Sequence, residues 1–135
     1  NLGAILRSAE AAGVHGVIIP KRNSVTLNYT VAKTSAGAIE YVPVVKVANL
    51  PAVIDELKAR GVWIFGADMD GTDYTSLDYS GSIALVIGSE GKGIGRLVRE
   101  KCDFIASMPM RGKINSLNAS VAAGILMFEA AKHRN

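Results

Sequence analysis

Cysteine is almost missing from this chain. Cys102 is the single one among 135 residues, which excludes an internal disulfide and fits a reducing compartment. Histidine is nearly as scarce: His15 and His133 lie far apart, and with one cysteine they supply no metal-ligand set. The acidic segment DMDGTD, residues 68–73, has glycine and aspartate in the wrong places for a calcium loop, so no metal is expected. Long apolar runs are lacking too. The longest, residues 119–128, is too short to span a bilayer and carries Ser120. Without a secretory signal pattern either, the expectation is a cytoplasmic protein with no membrane partner. Aromatic residues make up only 6%, so few rings are available to stack on bases.

What is present describes a folded domain. Hydrophobic residues are 49% and charged residues 20%, enough for a real core in one compact domain over residues 1–135. The chain opens at Asn1 without an initiator methionine and already inside a helical pattern, which leads us to expect further protein upstream. The formal charge is +3, a weak pointer to nucleic acid, but its distribution is uneven. Lys92, Arg96, Arg99, Lys101, Arg111 and Lys113 crowd one third of the chain, after an acidic stretch holding Asp68, Asp70, Asp73 and Asp78. Either cluster alone is explained by a solvated helix face or a polar loop.

Leu2, Ile5, Leu6 and Ala9 recur at helical spacing, with Asn1 placed as an N-cap and Gly13 near the end. VHGVIIP predicts a buried strand closed by Pro20, YTVAKTSAG a short helix, and AIEYVPVVKV an extended segment. Asn49 and Pro51 open another helix that ends at Gly61. VWIFGAD, SIALVIG and DFIASMPM predict three more strands, the first followed by an acidic loop. A last helix should start near Ser116 and carry Leu117, Val121, Ile125 and Phe128 along one side. Strands alternating with helices indicate an α/β fold with a mostly parallel sheet flanked by helices.

The stretch IALVIGSEGKGIGRLV runs a strand into four glycines and then a helical segment. It is not a phosphate-binding P-loop, because Lys92 is followed by Gly93 and the upstream glycine position is Val86. Nor is it a dinucleotide loop, since Gly95 follows Gly91 and Gly93 one residue too early. Glu90 would repel a polyanion at short range. A tight turn with Glu90 favourable to the helix dipole would explain the segment alone. Likewise Arg7 and Glu10 suit a surface pair, and Ser116 and Asn118 suit simple capping.

Taken together, N-L-G-x-x-x-R at the start, I-G-S-E-G-x-G in the middle and M-P-M followed by S-L-N-x-S near the end resemble the SpoU branch of the SPOUT RNA methyltransferases. The resemblance covers nearly the whole chain, and in detail the sequence is most similar to bacterial 23S rRNA (guanosine-2'-O-)-methyltransferases; transfer-RNA relatives are close. It implies S-adenosylmethionine as cofactor, lying against Gly66 and Ala67, Ile87 and Gly88, Met108 and Leu117. It further implies Asn1, Arg7, Glu90, Ser116 and Asn118 as functional polar residues, a deep trefoil knot in the C-terminal half, and a homodimer sharing its sites. RNA contacts are expected from the basic cluster instead, through Arg96, Arg99 and Arg111. The glycines would then let backbone pack on a neutral adenosine, where Glu90 is no liability beside a sulfonium. The family assigns Arg7 as the base; a guanidinium stays protonated, so a broader role in binding phosphate and stabilising an alkoxide suits it better. A non-catalytic RNA-binding module and a generic nucleotide-binding α/β domain are the rival readings.

Overall fold

The computed structural model describes residues 2–21, 29–89, 92–114 and 117–134. Its chain contacts divide into two compact units, Asn1–Leu50 and Pro51–Asn135, where the sequence suggests one domain.

The first unit contains α1 (Leu2–Ala12), β1 (Val17–Pro20), α2 (Tyr29–Thr34), a 3-10 turn (Ala38–Glu40) and β2 (Val44–Val47). α1 forms because Leu2, Leu6 and Ala9 return to one side at helical spacing, and that side is buried. Leu2 and Leu6 pack with Val31 and Ala38, and the half-buried Val17, Ile19 and Val44 close over them. α1 stops at Gly13, whose φ of 80° lets its N–H reach the Glu10 carbonyl while the Val14 N–H reaches that of Ala9. Gly61 ends the helix Leu50–Ala59 in the same way, with the Val62 N–H on the Leu57 carbonyl. β1 and β2 pair in parallel, Val17 opposite Val44. β1 is not the buried strand its composition suggests: Ile18 is exposed, because alternate side chains of a two-stranded ribbon face opposite ways. The expected long extended segment is shortened: its first residues, Ala38–Glu40, form a 3-10 turn, and only Val44–Val47 is a strand.

The second unit follows with α3 (Leu50–Ala59), β3 (Trp63–Asp73), a 3-10 turn (Tyr74–Ser76), β4 (Ile83–Val86), α4 (Arg96–Lys101), β5 (Phe104–Ser107) and α5 (Ala119–Ala131). Its three strands are parallel in the order β4–β3–β5, which places β3 in the centre. The acidic segment expected as a loop belongs to β3 as far as Asp73. Asp73 then caps the 3-10 turn, accepting from the Thr75 N–H and hydroxyl; these bonds hold its carboxyl below the usual range. The core gathers around Phe65, whose ring lies 4.7 Å from that of Tyr79 and 4.9 Å from that of Phe104.

α5 starts at Ala119 with Asn118 as its N-cap, later than Ser116. Its buried side is Ala123, Leu126, Met127 and Ala130. The side that the sequence grouped through Val121 and Phe128 is the outer one, each of these two residues 50% exposed. The helix is apolar around its circumference, so periodicity could not say which side turns in.

Candidate functional site

The carboxyl ends of parallel strands are where an open α/β sheet leaves a crevice. The second unit has one there, a cavity of about 430 Å³. Ala67, Asp68 and Met69 of β3 form one wall, Ile87 to Ser89 after β4 another, and Ala106, Met108 and Met110 in and after β5 a third. Leu117, Ala119 and Ala122 close it from the start of α5. The lining is mostly apolar, with Asp68, Ser89 and Lys92 as polar exceptions.

The glycine loop is drawn tight at this cavity. Ser89 pairs with Gly93 across the loop, its carbonyl accepting the Gly93 N–H at 3.2 Å. Gly88 lies so near the Gly93 backbone that a Cβ there would strike the Gly93 carbonyl group and come within 2.7 Å of the Ile94 nitrogen. The glycines therefore bring backbone to the cavity wall with no side chain between. Asp68 is anchored beside them: one carboxylate oxygen meets Arg99 Nη1 at 3.0 Å, the other accepts the Met69 N–H at 2.8 Å.

Of the residues expected to hold a cofactor, Ala67, Ile87, Gly88, Met108 and Leu117 line this one cavity. Gly66 does not. It is buried on the other face of β3, where a Cβ would stand 2.7 Å from Cys102 Sγ and 2.8 Å from Ile94 Cδ1. Strand alternation turns Ala67 to the cavity and its neighbour away.

Of the expected polar residues, Asn1, Glu90 and Ser116 lie outside the described residues. Asn118 is exposed beside Leu117, its side-chain oxygen accepting from the Ser120 N–H (2.9 Å) and hydroxyl (2.6 Å). Arg7 belongs to the first unit, where it is exposed; among the described residues it makes no ion pair, with Glu10 or any other acid. Arg96 is exposed and paired with Glu100 at 3.1 Å, and Arg111 is exposed after β5. Arg99 differs, since its guanidinium is turned onto Asp68 and the backbone of β3.

Asp68, Met69, Lys92, Met110 and Ala122 line the cavity without having been expected from sequence to do so. Met110 stands two residues after Met108 on the same alternating phase, a signal the M-P-M motif carried. Neither histidine lines the cavity: His133 Nδ1 lies 3.5 Å from Asp78, edge-on to Tyr79. Cys102 is half-buried and donates to the Val98 carbonyl, its thiol pushed up by burial. Among the described residues no group of three acidic, histidine or cysteine side chains could hold a metal, and no helix is long and apolar enough to cross a membrane.

Comparison with known proteins agrees with this geometry. A Bacillus subtilis (strain 168) protein named for the TrmH family of tRNA/rRNA methyltransferases is 56% identical over the whole chain, which spans 55% of that protein. The chain thus covers about half the length of the curated relatives it matches. The SpoU methyltransferase AviRb from Streptomyces viridochromogenes, solved with AdoMet, superposes with a TM-score of 0.89 at 32% identity, over 97% of this chain and 54% of that one. A structure described as an RNA 2'-O ribose methyltransferase gives a TM-score of 0.87 at 28% identity, over 98% of this chain and 51% of that one. The family model described as SpoU rRNA Methylase matches residues 1–128. With so nearly complete a match, the chain belongs to the SpoU rRNA methylase family.

Proposed function

We propose that the protein transfers a methyl group from S-adenosylmethionine to a ribose 2'-hydroxyl of RNA, a guanosine of 23S rRNA being the substrate. The cavity carries this reading: residues from four separate segments, expected from sequence to hold one cofactor, meet around an apolar crevice. Its volume suits a nucleoside-sized ligand. Ala67, Ile87, Met108 and Leu117 would cover the adenine, and the Gly88 backbone would approach the ribose. The cofactor's part is an electrophilic methyl on a sulfonium.

A ribose hydroxyl attacks poorly until its proton leaves. No histidine stands at the cavity, so the work falls to the other polar groups. The exposed Arg7 guanidinium binds the adjacent RNA phosphate and stabilises the developing alkoxide, while a phosphate oxygen takes the proton. Asn118, with Asn1 and Ser116, orients the ribose, and Glu90 organises the glycine loop. Arg96 and Arg111 meet RNA phosphates. Two copies of the chain assemble, with Arg7 of one serving the cavity of its partner; the exposed apolar line Leu117, Val121 and Phe128 on and before α5 supports such packing. The C-terminal half is threaded as a trefoil knot, and the protein works in the cytoplasm.

Titration calorimetry with S-adenosylmethionine and its demethylated product, with and without a chelator, tests the cofactor. Binding should be metal-independent, and a folded sample that binds neither refutes the proposal. Tritium transfer from labelled cofactor to 23S rRNA and to tRNA tests the substrate. A tRNA substrate is the second reading, favoured by the tRNA/rRNA name of the Bacillus relative.

A further inference from the structure

β3 is longer than its neighbour needs. Ala67 and Thr72 both stand opposite Ala106 of β5, so residues 68–71 bulge out of the ladder between them. A bulge leaves backbone groups without strand partners, and these must be satisfied elsewhere. Two side chains do so here. The Ser107 hydroxyl donates to the Asp68 carbonyl at 2.6 Å and accepts the Gly71 N–H at 2.7 Å, pinching the bulge at both ends. The Arg99 guanidinium donates to the Met69 carbonyl at 3.0 Å and the Asp70 carbonyl at 3.3 Å while it pairs with the Asp68 carboxylate.

The bulge is held in a shape it would not choose alone. Asp70 has a φ of 58°, in the left-handed region that a side chain disfavours. Gly71 is pressed onto β5, where a Cβ would stand 2.8 Å from Ser107 Oγ and strike the Ile105 carbonyl. Asp68 and Met69, at the near end of this bulge, are a wall of the cavity. Arg99 itself rides on α4, the helix that follows the glycine loop, and Gly93 of that loop lies against Asp68.

We propose that Arg99 and Ser107 are positioning residues for the cofactor: they clamp bulge 68–71 and so set the width of the cavity, and Arg99 is not an RNA contact. This rests on the reading that the cavity takes S-adenosylmethionine. A planar guanidinium reaches two carbonyls and a carboxylate at once; an ammonium has the charge but not the fork.

The test uses the full-length protein, with thermal unfolding to show that each variant is folded. Arg99→Ala should weaken S-adenosylmethionine binding about tenfold and raise its KM to match, with the KM for RNA and the salt slope of RNA binding unchanged. Arg99→Lys should stay weakened. Ser107→Ala should show a similar loss, and Ser107→Thr, which keeps the hydroxyl, should recover it. Because both residues hold one bulge, the double alanine variant should lose less than the product of the two single losses. Wild-type protein that binds no S-adenosylmethionine overturns this inference and the proposed function together. Wild-type binding, with cofactor affinity untouched in Arg99→Ala and Arg99→Lys, overturns this inference alone. A salt slope reduced by about one in Arg99→Ala, at unchanged cofactor affinity, returns the residue to the RNA.

Discussion

The second unit is finished in two opposite manners. Around Phe65, rings fill the space: Phe104 stacks on it, Tyr79 packs tilted against it, and the Tyr79 hydroxyl donates to the Tyr74 carbonyl at 2.6 Å. At the carboxyl ends of the strands, alanine, glycine and methionine leave a crevice open. One region supplies stability and the other leaves room for a ligand. The difference teaches that the unit keeps its rigid mass away from its opening, so that substitutions in the two regions should fail in different measurements.

The sharpest break of that contrast is at the cavity. Leu117→Arg places a charge at the rim and should reduce S-adenosylmethionine binding about a hundredfold or more, with the unfolding midpoint near wild type. Arg7→Ala should instead keep cofactor binding and lose methyl transfer. Mixed in the full-length protein, the two inactive variants should restore about a quarter of wild-type activity, because about half the dimers are mixed and one of two sites in each is sound. No recovery between folded, exchanging subunits would remove the shared site.

On the other side of the comparison, Phe65→Ala should cost about 3–5 kcal/mol in denaturant unfolding and leave cofactor affinity in the folded fraction unchanged. A gentler version is Tyr79→Phe, worth about 1 kcal/mol through the hydroxyl bond. It also carries a pH signature. Burial pushes the Tyr79 hydroxyl from 10.0 up to about 12, so the folded state favours the neutral phenol. Its contribution to stability is complete below pH 10 and is lost as the pH rises toward 12. Wild type should therefore lose stability across that alkaline window, and Tyr79→Phe should lose less of it. The smallest effect belongs to the exposed surface: Arg111→Ala should lower the salt slope of RNA binding by about one, with no change in either region's own measurement.

The four short strands and the first part of β3 were legible as apolar runs, and the capped helices because Gly13 and Gly61 close them; the rest of β3 was not. The cavity was legible through its motifs, down to Ala67, Gly88 and Met108. Gly66 was grouped with them but does not line the cavity, since a motif at a strand's end does not reveal which alternate residue faces the crevice. The bulge was illegible for a stronger reason. Residues 68–73 look like an acidic turn, and the groups that hold them, Arg99 and Ser107, stand some thirty or more positions away, beyond any local pattern. α5 gave the opposite difficulty, too much apolar surface for periodicity to choose a side.

α5 has one further consequence. Its 13 residues make a rod about 20 Å long, with Ala119 and Ala122 at the cavity and its far end fastened to the connection before β4. There Arg134 donates to the Tyr79 carbonyl at 2.8 Å and to the Gly81 carbonyl. A helix tied at both ends does not fray from either one independently. Ligand held at its first turns should thus slow amide exchange along the whole helix, and the slowing should extend to the backbone around residues 79–81, which no ligand touches.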